Sequence, residues 1–203
     1  MARYGLIIDV TRCTGCYACV VACKSENFTR PDVSWIRIQE EEQGEYPEVS
    51  RQYKPLLCMQ CGEMPCAQAC PSDAIFMGDD GIVCIEADKC VCYETHPCID
   101  ACPFDVLHVN KGKKVYFPDY LDSFEQEAYE GHRDRVVEKC TLCYHRISQG
   151  QLPACVQACP TQAMIFGDHD DPNSDLAKLF STGHTWDLNE ELKLNPSVVY
   201  IKD

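Results

Sequence analysis

Sixteen of this chain's seventeen cysteines fall into four groups of four, and that clustering constrains the fold before anything else does. The groups are Cys13/Cys16/Cys19/Cys23, Cys58/Cys61/Cys66/Cys70, Cys90/Cys92/Cys98/Cys102 and Cys140/Cys143/Cys155/Cys159. The first runs C-T-G-C-Y-A-C-V-V-A-C. In a run of this type three closely spaced thiolates hold three corners of one iron–sulfur cube, and the fourth reaches a partner cube.

Two plainer readings of a cysteine-rich chain fit less well. Disulfide frameworks suit short secreted chains with an even cysteine count, whereas this chain has 203 residues, an odd count and no apolar signal segment at Met1–Val10. Structural zinc sites bring two C-x2-C knuckles together and have no use for further cysteines at i+6 and i+10 followed by proline. The net charge of −14 argues against a nucleic-acid partner. No stretch approaches the roughly 18–20 apolar residues of a membrane span. A nucleotide-phosphate loop, a catalytic triad and an isolated acid–base pair are all missing, so the sequence reads as a non-catalytic one.

Internal repetition sets the organisation. C-M-Q-C-G-E-M-P-C-A-Q-A-C-P (Cys58–Pro71) and C-V-C-Y-E-T-H-P-C-I-D-A-C-P (Cys90–Pro103) have equal length, and the fourth group ends alike in P-A-C-V-Q-A-C-P (Pro153–Pro160). Each closing proline ends a short helical turn and leads into an apolar segment, Ala74–Phe76, Val106–Val109 or Ala163–Phe166. These are ferredoxin-like units of cysteine loop, short helix and short strand. Two-cluster ferredoxins exchange their fourth cysteines. The adjacent groups two and three therefore pair, with Cys58, Cys61, Cys66 and Cys102 on one cube and Cys70, Cys90, Cys92 and Cys98 on the other. Groups one and four pair across the sequence, with Cys13, Cys16, Cys19 and Cys159 on one cube and Cys140, Cys143, Cys155 and Cys23 on the other.

The expected fold is α+β, two interleaved bacterial-type ferredoxin-like modules with a β-hairpin insertion and a C-terminal tail. Residues 1–30 with 138–167 form one module and 55–109 the other. Residues 31–54 form the hairpin, from the alternation V-S-W-I-R-I-Q and the acidic tip E-E-E-Q-G-E. Residues 110–137 read as a polar surface connection. The tail, 168–203, carries a short helix from Ser174 and an apolar strand Val198–Ile201. Trp35 reads as a packing residue and Cys84 as a buried strand residue. His96, inside group three, reads as exposed or as a donor to sulfur rather than a ligand. Arg12, Lys89 and Lys139 each precede the first cysteine of a group, and Lys24 follows Cys23. They are either solvated strand ends or cations that favour a reduced cluster.

The N-terminus R-Y-G-L-I-I-D-V-T-R-C-T-G-C-Y-A-C-V-V-A-C-K, the C-M-Q-C-G-E-M-P-C block and K-C-T-L-C-Y-H-R-I-S-Q-G-Q-L-P-A-C-V-Q-A-C-P-T-Q-A-M-I-F-G-D resemble the four-cluster electron-transfer subunit of the complex iron–sulfur molybdoenzymes. That family includes polysulfide, thiosulfate, arsenate and dimethyl sulfoxide reductases and some formate dehydrogenases. The resemblance runs from Arg3 to Ile201. It implies four [4Fe-4S] clusters, a large molybdopterin or tungstopterin catalytic subunit as partner, and often an integral-membrane subunit that exchanges electrons with quinone. It also implies a place at the membrane surface through a partner, on either side. The alternative function is a free-standing four-cluster polyferredoxin serving hydrogenase or other redox partners.

Group three departs from the family's pattern. Tyr93 stands at the place matching Cys61, and Cys92 comes one residue early. One reading keeps four cysteine ligands on a distorted loop. The other takes the register Cys92, Thr95, Cys98, Cys102, with threonine at the middle ligand and a [3Fe-4S] cluster.

Overall fold

The computed structural model describes residues 2–91, 94–112, 115–117 and 119–201. Strand β1 (Tyr4–Asp9) leads into the first cysteines and helix α1 (Ala18–Asn27). Next come the hairpin β2 (Arg37–Gln43) and β3 (Ser50–Leu56), helix α2 (Pro65–Gln68), and strands β4 (Ile75–Met77) and β5 (Val83–Ile85). Helix α3 (Pro97–Asp100), strand β6 (His108–Val109), helix α4 (Ser123–Glu130) and strand β7 (Val137–Glu138) follow. The chain closes with α5 (Tyr144–Ile147), α6 (Ala154–Gln157), β8 (Met164–Asp168), α7 (Asp175–Ser181), β9 (Thr185–Trp186) and β10 (Val198–Ile201). No helix among the described residues is long and apolar enough to cross a membrane.

The main sheet has the order β8-β1-β10-β9, so the N-terminal strand sits between two strands from the other end of the chain. β1 runs parallel to β10, with Leu6 opposite Val198, and antiparallel to β8, with Leu6 opposite Phe166. A strand covered on both faces is apolar throughout, and Leu6, Ile7 and Ile8 are all fully buried. The period of two sorts them. Leu6 and Ile8, with Val198, Tyr200 and Met164, face the cysteine-rich core, while Ile7 and Val199 pack with Leu176 of α7 on the opposite face. Ser174 caps α7 by accepting the Ala177 N–H at 3.0 Å.

The hairpin is antiparallel, with Arg37 opposite Leu56 at its buried base and Gln43 opposite Ser50 towards its charged tip. Lys54 and Glu41 pair across it at 2.6 Å. Its base is tied to the main sheet by the Tyr200 hydroxyl, which donates to the Pro55 carbonyl at 2.7 Å. Trp35 is buried in the same core. Two small antiparallel pairs complete the sheets, β4 with β5 and β6 with β7.

The polar connection holds α4, capped by Asp122, with Tyr129 buried against Phe28. Its first residue, Asn110, is fully buried because its amide donates to the Arg133 carbonyl at 3.0 Å and its backbone N–H to Val136. Cys84 is half-buried rather than buried, since β5 has only β4 beside it.

Candidate metal centres

The cysteine loops share one local design. Proline occupies the first turn of α2 and α3 (Pro65, Pro97), where a missing N–H costs nothing. In groups two, three and four the proline after the last cysteine then prevents helix continuation and turns the chain into β4, β6 or β8. In the first loop Gly15 takes φ +66°, and a Cβ there would stand 2.4 Å from the ring of Tyr53, which the hairpin lays over the loop.

The structure gathers the described group cysteines into four sets, each mixing two groups. Set one is Cys13, Cys16, Cys19 and Cys159, lining a small cavity with Ile38, Pro55 and Met164. Set two is Cys23, Cys140, Cys143 and Cys155, lining another with Leu6, Trp35 and Leu142. In set three the thiolates of Cys58, Cys66 and Cys102 all oppose ionisation of Cys61. In set four Cys70 and Cys90 do the same to Cys98. Cys92 and Tyr93 lie outside the described residues, and with them the choice of register in group three.

A single tetrahedral ion needs its ligands at bonding distance from one point. No group of three or more His, Cys, Asp or Glu among the described residues is arranged to hold one ion. A cube takes one thiolate per iron, so its ligands stand around a wider space. An all-thiol donor set around an apolar cavity suits that group.

Burial is the main influence on these thiols. It pushes Cys19, Cys61, Cys98 and Cys140 up to about 12 and Cys66 up to about 11, and neighbouring thiolates add to the effect. Cys23 and Cys155 are raised for the same reasons. Without metal these positions are neutral thiols, so loading releases protons. Two cysteines go the other way. At Cys70 and Cys159 burial also raises the thiol, but a hydroxyl and several backbone N–H groups outweigh it and leave both lowered. The Ser72 hydroxyl oxygen is 3.6 Å from Cys70 Sγ, and that of Thr161 is 3.7 Å from Cys159 Sγ. The Ala74 and Ala163 N–H groups donate to the same sulfurs at 3.4 and 3.3 Å. Cys102 has Phe104 in the corresponding place, and burial leaves its thiol raised. In set two, the Asn27 side-chain amide reaches Cys23 Sγ at 3.5 Å and Cys143 Sγ at 3.9 Å.

The sets also adjoin one another in order. The Cys19 thiolate bears on Cys23 and Cys155, linking sets one and two. Cys58 bears on Cys140, linking sets three and two, and Cys66 on Cys98, linking sets three and four. Every cysteine of set two is buried, as are Cys58, Cys61 and Cys66 of set three. Set one has Cys16 exposed and Cys13 and Cys159 half-buried, and set four has Cys70 half-buried. The sulfur-bonding roles of Asn27, Ser72 and Thr161 escaped the sequence reading, although C-P-S and C-P-T were visible beside C-P-F. His96 stays off the sulfurs, with Nε2 3.3 Å from the Arg135 carbonyl oxygen.

Two family profiles, each described as a 4Fe-4S dicluster domain, match the chain, one over residues 49–117 and 126–169 and the other over 12–74. A selenate reductase subunit of Mesobacillus selenatarsenatis is 36% identical across 97% of this chain and 70% of its own length. The arsenate respiratory reductase iron–sulfur subunit of a Shewanella species is 31% identical across 98% and 96%. A polysulfide reductase polypeptide of Wolinella succinogenes is 33% identical across 98% and 94%. With four cysteine sets and two dicluster matches, this protein belongs to the iron–sulfur electron-transfer subunits of the complex iron–sulfur molybdoenzyme family.

Proposed function

We propose that this chain is the non-catalytic relay of a reductase complex, with sixteen cysteines holding four [4Fe-4S] cubes in a row. The ligands are Cys13, Cys16, Cys19 and Cys159; Cys23, Cys140, Cys143 and Cys155; Cys58, Cys61, Cys66 and Cys102; and Cys70, Cys90, Cys92 and Cys98. Bound cubes would supply one-electron oxidation and reduction. The chain's own residues keep water from the middle of the row, donate hydrogen bonds to particular sulfurs and fix the order of the sites. Groups one and four would then build one ferredoxin-like module, with the module of groups two and three inserted between them.

The observation that carries this reading is the contrast between the covered middle sets and the open set one at the end of the row. The two middle sets are almost wholly covered, as an insulated path requires. Set one opens to solvent through Cys16, where an electron can leave or enter. A large catalytic subunit with a molybdenum or tungsten pterin would take up one end, and a membrane quinone-reactive subunit or a soluble carrier the other. Attachment to the membrane would come through such a partner.

The experiment is the native mass and metal content of the complex purified without oxygen. A much larger chain carrying molybdenum or tungsten should accompany this one. A monomer with full iron and no such chain would refute the subunit role and favour a free polyferredoxin.

A further inference from the structure

Four cations flank cysteines in the sequence, and the structure separates them. Arg12 is exposed. Lys89 is exposed and paired with Glu86 at 2.6 Å. The Lys24 ammonium donates to the carbonyls of Arg30 and Val33. Lys139 alone of the four is buried, only 2% exposed. Its ammonium donates to the Val83 carbonyl and, at 3.0 Å, to the Cys140 carbonyl. The neighbouring carboxylate, Glu138, is taken by His132 at 2.7 Å.

Gln60 completes the arrangement. Also buried, its side-chain amide donates to the same Cys140 carbonyl at 3.0 Å, and its oxygen accepts the Val83 N–H at 2.8 Å. Lys139 and Gln60 thus bridge β5 to the start of group four, where Cys58 of set three adjoins Cys140 of set two. A buried cation whose partners among the described residues are carbonyls needs other negative charge nearby. Lys139 directly precedes Cys140 of set two, and Gln60 lies between Cys58 and Cys61 of set three, so the ammonium sits where the two middle sets meet.

We infer that Lys139 is a positioning residue for electrons, a fixed cation that raises the reduction potentials of the two middle cubes and so sets the step between the modules. This rests on the cluster assignment proposed above. Adding an electron makes a cube more negative, and a nearby cation favours that form. At an effective dielectric near 20, a unit charge within about 8 Å moves such an equilibrium more than tenfold.

The test is an EPR-monitored redox titration of the full chain, purified anaerobically with its clusters. Wild type should titrate in four one-electron steps. In Lys139→Met two of the four should fall, their reduced-to-oxidised ratio dropping at least tenfold at fixed potential, about 59 mV. The other two should hold, and Lys139→Arg should keep all four near wild type. If Lys139→Met does not load iron, Gln60→Glu carries the test, because a carboxylate beside the ammonium should lower the same two steps. Four unchanged steps in an iron-replete Lys139→Met, or four that move together, would overturn the inference. Fewer than four steps in the wild type would instead refute the cluster assignment beneath it.

Discussion

The residue two places after each Cys-Pro cysteine offers a direct test of how this chain tunes its sites. Ser72 and Thr161 present hydroxyls 3.6 and 3.7 Å from Cys70 and Cys159 Sγ, and Phe104 presents none to Cys102. Towards a metal-bound thiolate the hydroxyl is the donor. A hydrogen bond to a charged acceptor contributes about 1.5–3 kcal/mol. Only the part that strengthens on reduction moves the potential. If that part is about a third, the effect is about 0.5–1 kcal/mol, or about 20–40 mV for a one-electron couple. Ser72→Ala should therefore lower the potential of the set-four cube by that amount, and Thr161→Val should do so for set one. Phe104→Ser should raise set three, provided the smaller side chain leaves the loop in place. Anaerobic redox titration with EPR detection reads all three, with iron content as the control. Iron-replete Ser72→Ala and Thr161→Val proteins with unshifted potentials would show that neither hydroxyl acts on its cube.

Cys23→Ser should disturb the cube of Cys140, Cys143 and Cys155; loss of the Cys13/Cys16/Cys19 cube alone, seen by EPR, would contradict the exchange of fourth cysteines. Gly15→Ala should release about four irons per chain, since it adds left-handed strain of about 1–2 kcal/mol to a clash with Tyr53. Gly150→Ala adds the strain at φ +72° with open space around it; equal iron loss from both would exclude the clash as the cause. At His132 burial opposes the charged ring, but Glu138 accepts from Nδ1 at 2.7 Å and the Asn27 carbonyl from Nε2 at 2.8 Å, and the net effect raises its pKa. A raised folded pKa contributes stability that is complete below the ordinary value of about 6.5 and is lost as pH rises through the folded value. His132→Gln should thus destabilise the protein by about 1–2 kcal/mol at pH 6, read as a lower thermal midpoint of cluster loss, and by much less at pH 9; a pH-independent difference would show that the charge does not matter.

What could be read from the sequence was local. Cysteine-proline punctuation located the short strands, because proline ends one turn and the next apolar residues extend: Ile75–Met77, His108–Val109 and Met164–Asp168 are where they run. The alternation through Trp35–Gln39 leads into β2, and Val198–Ile201 forms β10. Helix α4 was legible and passed over, since Asp122 with Glu125 is a capping signal. The cations were not legible. Lys89 and Lys139 both precede a cysteine, yet one reaches solvent and the other is sealed in by β5 and Gln60, which lie far away in sequence. The hydroxyls on Cys70 and Cys159 lie between these cases. The residue type was in plain view, but its aim at sulfur depends on the turn after the proline.

If one chain carries four cubes in series, a count of iron, sulfide and electrons must show it. Iron and acid-labile sulfide analysis of the anaerobically purified full chain, combined with reductive titration, should give about sixteen irons, as many sulfides and four electrons per chain. Traces of iron with stoichiometric zinc, or a chain that accepts two electrons, would contradict it.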